Sequence, residues 1–240
     1  MSKRLAHLLR GIPGIRSSYR EARFLARIAR ERWWVERQRR MDEIHLTREW
    51  DFDSPVEQER YRRILNAVKS RLALERWGDA LEIGCAEGAF TLQLANYCDS
   101  VSAYDISMLA CERAAQRCAG HSNVRIAQLN LVKQPIPGTY DLIFAMDVLE
   151  FAFGRKELTD TAGKLLNALR KGGLLVLSSC GLMAELQSRW SARWLLGHKG
   201  DIAGFLETNF KLRRVYKELY PEAPNAIPGY LQHVIALFEK

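Results

Sequence analysis

The stretch Leu81-Glu82-Ile83-Gly84-Cys85-Ala86-Glu87-Gly88-Ala89-Phe90 decides the reading of this chain. It follows a strand-like apolar run and opens a helix. Gly84 permits a tight turn, and the small residues Ala86 and Gly88 let a ligand approach the backbone. The pattern is E-x-G-x-A-x-G. A nicotinamide cofactor calls instead for glycines spaced to seat a pyrophosphate at the helix N-terminus. An acid two residues before Gly84 suits the ammonium group of an amino acid.

Outward from this turn, short apolar strands alternate with helices. The strands are ALEIGC (80–85), SVSAYDI (100–106), VRIAQLN (124–130), YDLIFAMDV (140–148) and GLLVLSSC (173–180). Helices are expected at about 88–97, 107–118, 157–170 and 183–196. This alternation predicts an α/β fold with a parallel sheet covered on both faces. FKLRRVYKELY (210–220) and YLQHVIALFEK (230–240) read as two further strands. Only a Pro-containing turn joins them, so they pair antiparallel.

Upstream, Ser54 is placed to cap a helix, with Pro55 at its first position and Glu57 completing a capping box. That helix is expected to run to about Leu74 on a stripe of Tyr61, Ile64, Leu65, Val68 and Leu72. Residues 18–46 read as a long helix with one apolar face and one Arg-rich face. Three roles for it stay open: packing on the body, contact with a membrane surface, or contact with nucleic acid. The expected organisation is a basic helical extension over 1–48 and a main domain over 49–240.

Asp105 ends the second strand, 21 residues after Gly84, where an acid accepts hydrogen bonds from ribose hydroxyls. The first acid, the small-residue turn and the ribose acid together specify a nucleoside that bears an amino acid. That ligand is S-adenosylmethionine.

On these residues the chain resembles the class I S-adenosylmethionine-dependent methyltransferases. The resemblance rests on LEIGCAEGAF, on AYDIS with Asp105, on YDLIFAMDVLEF, and on LRKGGLLVL at 169–177. It covers residues 80–180, and the order of elements extends it to 240. The form LEIGCAEGAFTLQLA and the upstream block W-x-F-x-S-P-x-E-x-x-R-Y are similar to a bacterial subgroup that includes the nodulation amino-sugar N-methyltransferase. The resemblance implies a Rossmann-like, doubly wound sheet of seven strands with the last strand antiparallel, plus the N-terminal helical extension. It implies methyl transfer to a nitrogen or oxygen of a small-molecule acceptor, a saccharide or secondary metabolite being favoured. The expected cofactor contacts are Glu82, Gly84, Cys85, Ala86, Gly88, Asp105, Ile106, Asn130, Leu131 and Met146. Asp147 and Glu150 are the candidate catalytic residues, either one as the base that a hydroxyl acceptor would need. Trp50, Phe52 and Tyr61, in a lid over 46–61, and Cys180 are the candidate acceptor contacts.

Three positions depart from the family pattern. Asn130 stands where an Asp usually meets the adenine amine; its amide oxygen can still accept that bond, and turn chemistry is the competing role. Ala86 replaces the second glycine. Phe151 follows Glu150 where many relatives carry a His, which removes a general base available to some of them.

Composition bounds the rest. Of 240 residues, 48% are hydrophobic and 27% charged, which fits a globular chain without a membrane-spanning run. The net charge of +8 is uneven: residues 1–50 hold 13 Lys/Arg against 6 Asp/Glu, and the remainder is nearly neutral. A basic arm on a neutral body weakens a nucleic-acid reading. Five cysteines without CxxC pairs indicate a reducing, cytoplasmic setting, and the scattered histidines indicate no metal site. Two other functions stay open. One is a non-catalytic cofactor- or partner-binding protein of the same fold. The other is a nucleic-acid or protein methyltransferase guided by the arm.

Overall fold

The computed structural model describes residues 38–39, 41–43, 45–47, 51–149, 154–180, 202–221 and 232–240. Most of the expected 18–46 helix, the expected 183–196 helix, Trp50, Glu150 and the side chain of Cys180 lie outside the described residues. The chain divides into two units, Met1–Thr47 and Arg48–Lys240. In the first, the described residues are helical, and Arg39 pairs with Glu43 one turn on at 3.8 Å.

The second unit opens with α1 (Pro55–Leu72). Ser54 caps it, its Oγ accepting from the Glu57 N–H at 3.4 Å. Only half of the expected capping box forms. The Ser54 N–H donates to the Asp51 carbonyl at 3.2 Å, and the Glu57 carboxylate turns to Arg60. The helix stops at Leu72 because Ala73 takes a left-handed φ of 50° and its N–H returns to the Lys69 carbonyl.

The elements that follow are β1 (Asp79–Ile83), α2 (Ala89–Leu94), β2 (Ser100–Asp105), α3 (Met108–Arg117), β3 (Val124–Gln128) and β4 (Tyr140–Met146). Then come α4 (Gly154–Ala168), β5 (Leu169–Cys180), α5 (Ile202–Phe210), β6 (Arg213–Pro221) and β7 (Gln232–Glu239). The seven strands form one sheet in the order β3-β2-β1-β4-β5-β7-β6. β7 inserts between β5 and β6 and runs antiparallel to both. Strand order reverses between β1 and β4, so the crevice beyond their carboxyl ends is the ligand-binding position of such a sheet.

Alternation along the strands builds two cores. Ala80, Leu142, Phe144, Val176, Ile235 and Leu237 pack against Tyr61, Ile64, Leu65 and Val68 of α1 and Phe90 of α2. Leu81, Ile83, Ile143, Leu175, Leu177 and Phe238 face Leu158, Leu165 and Leu166 of α4 and Ile202, Phe205 and Leu206 of α5. Each large side chain buried this way contributes about 1.5–3 kcal/mol.

Three departures from the expected elements have physical causes. β1, β3 and β4 each end two residues before the apolar pattern does, at Ile83, Gln128 and Met146. The continuing residues Cys85 and Leu129 are buried because the loops at the crevice pack onto the sheet ends. β5 begins at Leu169, four residues early: Tyr140 pairs with Leu169 and Leu142 with Leu174, so Arg170–Gly173 bulge out. There the Arg170 guanidinium bridges Asp79 at 2.9 Å and Asp141 at 2.6 Å. A Cβ on Gly173 would stand 2.7 Å from the Asp141 carbonyl. Finally, α5 was not expected, although Ile202, Ala203, Phe205 and Leu206 bury one face of it.

Candidate active site

The turn after β1 is shaped by three left-handed residues in alternation: Gly84 (φ 77°), Ala86 (φ 47°) and Gly88 (φ 79°). The N–H groups of Gly84 and Cys85 both donate to the Tyr104 carbonyl, at 2.7 and 3.1 Å, which fastens the turn to β2. A Cβ on Gly84 would lie 2.2 Å from the Val148 Cγ2, and one on Gly88 would lie 2.9 Å from the Ala114 Cβ. The turn is therefore wedged between the end of β4 and the flank of α3. Ala86 holds its left-handed conformation at a cost of about 1–2 kcal/mol.

Asp105 organises this cradle. Its Oδ2 accepts from the Ala86 N–H and its Oδ1 from the Ser107 N–H, both at 2.9 Å. The cap of α3 is Ser107 rather than Asp105: the Ser107 Oγ accepts from the Ala110 N–H at 3.1 Å. Asp105 thus joins the β1 turn to the β2 turn.

Glu82 lies beneath the turn, 1% exposed, its Oε2 accepting from the Thr91 hydroxyl at 2.6 Å. Burial pushes its carboxyl up to about 8, against one hydrogen bond from Thr91 and with a further push from the Asp105 charge. A neutral carboxyl under the turn is poised to ionise beside a cationic group. Cys85 is equally buried. The Cys111 thiol beside it, and then burial itself, raise its thiol well above the ordinary range, so it packs here as a neutral thiol.

Across the crevice, Gln128 Nε2 donates to the Ile106 carbonyl at 2.8 Å. Residues 130–134 form a turn in which the Asn130 Oδ1 accepts from the Lys133 N–H at 3.2 Å. The turn chemistry left open for Asn130 is realised. Leu131 is half-buried against the α4-side core, and Met146 closes β4 at the edge of the α1-side core.

Asp147 follows β4 in a left-handed conformation, φ 49°, its N–H donating to the Ser178 carbonyl at 2.9 Å. Its carboxylate pairs with Arg60 of α1, a buried guanidinium that also pairs with Glu57. Asp147, expected as a base, is thereby committed to a cation. Phe52 is half-buried against the α1-side core. Tyr61, expected on the acceptor wall, is instead a core residue at 3% exposure, its ring 5.1 Å from that of Phe90. The segment ahead of α1 is tied to the end of α3, because Arg117 grips Asp53 with two bonds of 2.8 Å.

Arg60, Thr91, Ser107 and Val148 were missed as site residues. All four stand in stretches on which the resemblance rests: Arg60 in W-x-F-x-S-P-x-E-x-x-R-Y, Thr91 in LEIGCAEGAFTLQLA, Ser107 in AYDIS and Val148 in YDLIFAMDVLEF. The residues present fit S-adenosylmethionine: a turn at Gly84 that a Cβ would fill, a buried acid beneath it, and a second acid at its edge. Among the described residues, no group of His, Cys, Asp and Glu is arranged to hold a metal ion, and no helix is long and apolar enough to cross a membrane.

This sheet order and this cradle define a class I S-adenosylmethionine-dependent methyltransferase. The model of the Nodulation protein S (NodS) family matches residues 36–208. The chain belongs to the NodS family. It is 29% identical to the nodulation protein S of Sinorhizobium fredii (strain NBRC 101917 / NGR234) over 168 residues, 70% of this chain and 74% of that one. It is 30% identical to that of Rhizobium tropici over 131 residues, 54% of each chain, so the match spans about half the length of that relative. The crystal structure of the N-methyltransferase NodS from Bradyrhizobium japonicum WM9 in complex with S-adenosyl-L-homocysteine superposes with a TM-score of 0.64. That match has 25% identity and covers 78% of this chain and 88% of that one.

Proposed function

We propose that this chain methylates an amine nitrogen of a small acceptor, an amino sugar being favoured, with S-adenosylmethionine as the methyl donor. The commitment of Asp147 to Arg60 carries the preference for nitrogen. A hydroxyl acceptor needs a base within reach, whereas an amine needs only to be presented neutral. The N-methyltransferase activity named for the Bradyrhizobium relative supports the same choice.

The bound cofactor supplies a methyl group already activated on a sulfonium. The chain's own residues align and dehydrate the reactants. Glu82, beneath the turn, balances the amino-acid ammonium, and Gly84, Ala86 and Gly88 admit the ligand to the backbone. Asp105 receives the ribose hydroxyls while holding the Ala86 N–H. Ile106, Asn130, Leu131 and Met146 surround the purine. Phe52, and Trp50 and Cys180 by their place in the chain, border the acceptor. Asp147, paired with Arg60, positions the end of β4 beside the acceptor side, and Glu150, by its place in the chain, is the remaining acid there. The four described cysteines, Cys85, Cys98, Cys111 and Cys118, are free thiols, which fits a reducing, cytoplasmic setting.

The test is turnover by the purified chain with S-adenosylmethionine and paired oligosaccharides, one with a free amine and one with that amine acetylated. Methyl transfer and S-adenosylhomocysteine release with the free amine alone are expected. Transfer to the acetylated sugar at equal rate would overturn the nitrogen assignment. Cofactor binding without turnover on amine, hydroxyl or sugar acceptors would favour a non-catalytic cofactor-binding protein.

A further inference from the structure

Lys164 lies on α4, the helix that follows the crevice end of β4. Its ammonium reaches the turn after β3 and donates to three carbonyls at once: Leu131 at 2.7 Å, Val132 at 2.7 Å and Gln134 at 2.8 Å. An ammonium has three donors, and all three are used here. The carbonyls converge because residues 130–134 wind as one helical turn. The Asn130 carbonyl accepts from the N–H groups of Lys133 at 3.0 Å and Gln134 at 2.8 Å. The carbonyls at the far end of that turn have no partners within it, and a cation there is also favoured by their aligned dipoles.

The turn is held from its other side as well. The Asn130 N–H donates to the Gln134 Oε1 at 2.7 Å, and the Leu129 N–H donates to the Asp105 carbonyl at 2.8 Å. Asp105 in turn holds the Ala86 N–H. One chain of bonds therefore runs from α4 through residues 129–134 to the β1 turn. Within it, the Lys133 N–H donates to the Asn130 Oδ1 at 3.2 Å, so the amide is held by the same turn that Lys164 holds. Lys164 is partly buried, and that burial lowers its pKa, so the protein spends desolvation to keep the cation in place.

The geometry points to Lys164 as a positioning residue for purine recognition: by holding the 131, 132 and 134 carbonyls it sets Asn130 and Leu131 against the purine ring of the cofactor. This rests on the placement of the purine beside residues 130–131. Arginine does not substitute for it, since a planar guanidinium cannot bring three donors from one atom to three converging oxygens.

The test is calorimetric binding of S-adenosylhomocysteine and of its analogue with hypoxanthine in place of adenine. Wild type, Lys164→Met and Lys164→Arg are compared, each checked for folding by circular dichroism melting. Wild type should prefer the adenine ligand. Lys164→Met should lower that preference by about tenfold, because a small misplacement of a supporting shell is costly in recognition. Lys164→Arg should lower it less, and its ratio decides the matter if the Met variant does not fold. A purely structural lysine would weaken both ligands alike and leave the ratio unchanged, which overturns the inference. A wild type that binds both ligands equally well overturns the placement of the purine at residues 130–131, and the inference with it. In that case S-adenosylhomocysteine binding itself still upholds the cofactor assignment.

Discussion

Glu82 binds its proton up to about pH 8 in the folded chain, against 4.5 as the ordinary value. Between those limits the folded state holds the extra proton, so stability falls as pH rises through this range. Glu82→Gln, neutral and of the same shape, should flatten that part of a melting-temperature profile. It should also weaken S-adenosylhomocysteine binding by about 1–3 kcal/mol through the lost charged partner. An unchanged profile would place the titration elsewhere. At Gly84 two costs combine: a φ of 77° and the Val148 methyl 2.2 Å from a new Cβ. Gly84→Ala should abolish measurable cofactor binding, and adding Val148→Ala should recover only the steric share, which a double-mutant cycle reads directly. Ala86→Gly should raise stability by about 1 kcal/mol in denaturant unfolding, because glycine carries no Cβ into the left-handed region. Glu82, Gly84 and Asp105 are legible in the sequence because their spacing is local. That Glu82 is buried under Thr91, and that Asp105 grips the Ala86 N–H, are not, since both depend on where β2 and α2 come to rest.

At the scale of elements, α1 is held to the catalytic end of the sheet by the Glu57–Arg60–Asp147 group. Its helical pattern shows in the sequence, and so does the cap at Ser54. The second half of the capping box fails because Arg60 offers Glu57 a charged partner one turn away. Arg60→Met takes the cation from two carboxylates and should cost about 3–5 kcal/mol in urea unfolding. Arg60→Lys should recover part of it. A loss below about 1 kcal/mol would class the group with ordinary surface pairs. The strand limits misread in the sequence have one cause. Hydrophobic alternation reports burial, and side chains just past the strand ends, such as Cys85 and Leu129, are buried although the ladder has stopped. The Arg170–Gly173 bulge has another: Leu165, Leu166 and Leu169 continue a helical spacing, but Arg170 is drawn to Asp79 and Asp141 across the sheet.

For the molecule as a whole, the charge is concentrated in residues 1–50, while every described residue assigned to the cofactor lies between Glu82 and Met146. Deleting residues 1–40 should therefore leave the S-adenosylhomocysteine dissociation constant and the rate on a small amine unchanged. A large loss of rate with cofactor binding intact would restore a guiding role for the arm. The chain by itself determined the alternation of strands and helices, the antiparallel pairing of the last two strands and the tight glycine turn after β1. Those follow from hydrophobic period, glycine placement and short-range spacing, which are written along the chain. Only the tertiary structure decided that Asp147 belongs to Arg60, that Tyr61 belongs to the core, and that Lys164 belongs to the turn after β3. Each of these joins elements distant in sequence, and a side chain's partner is set by the packing of helices on the sheet rather than by its neighbours in the chain.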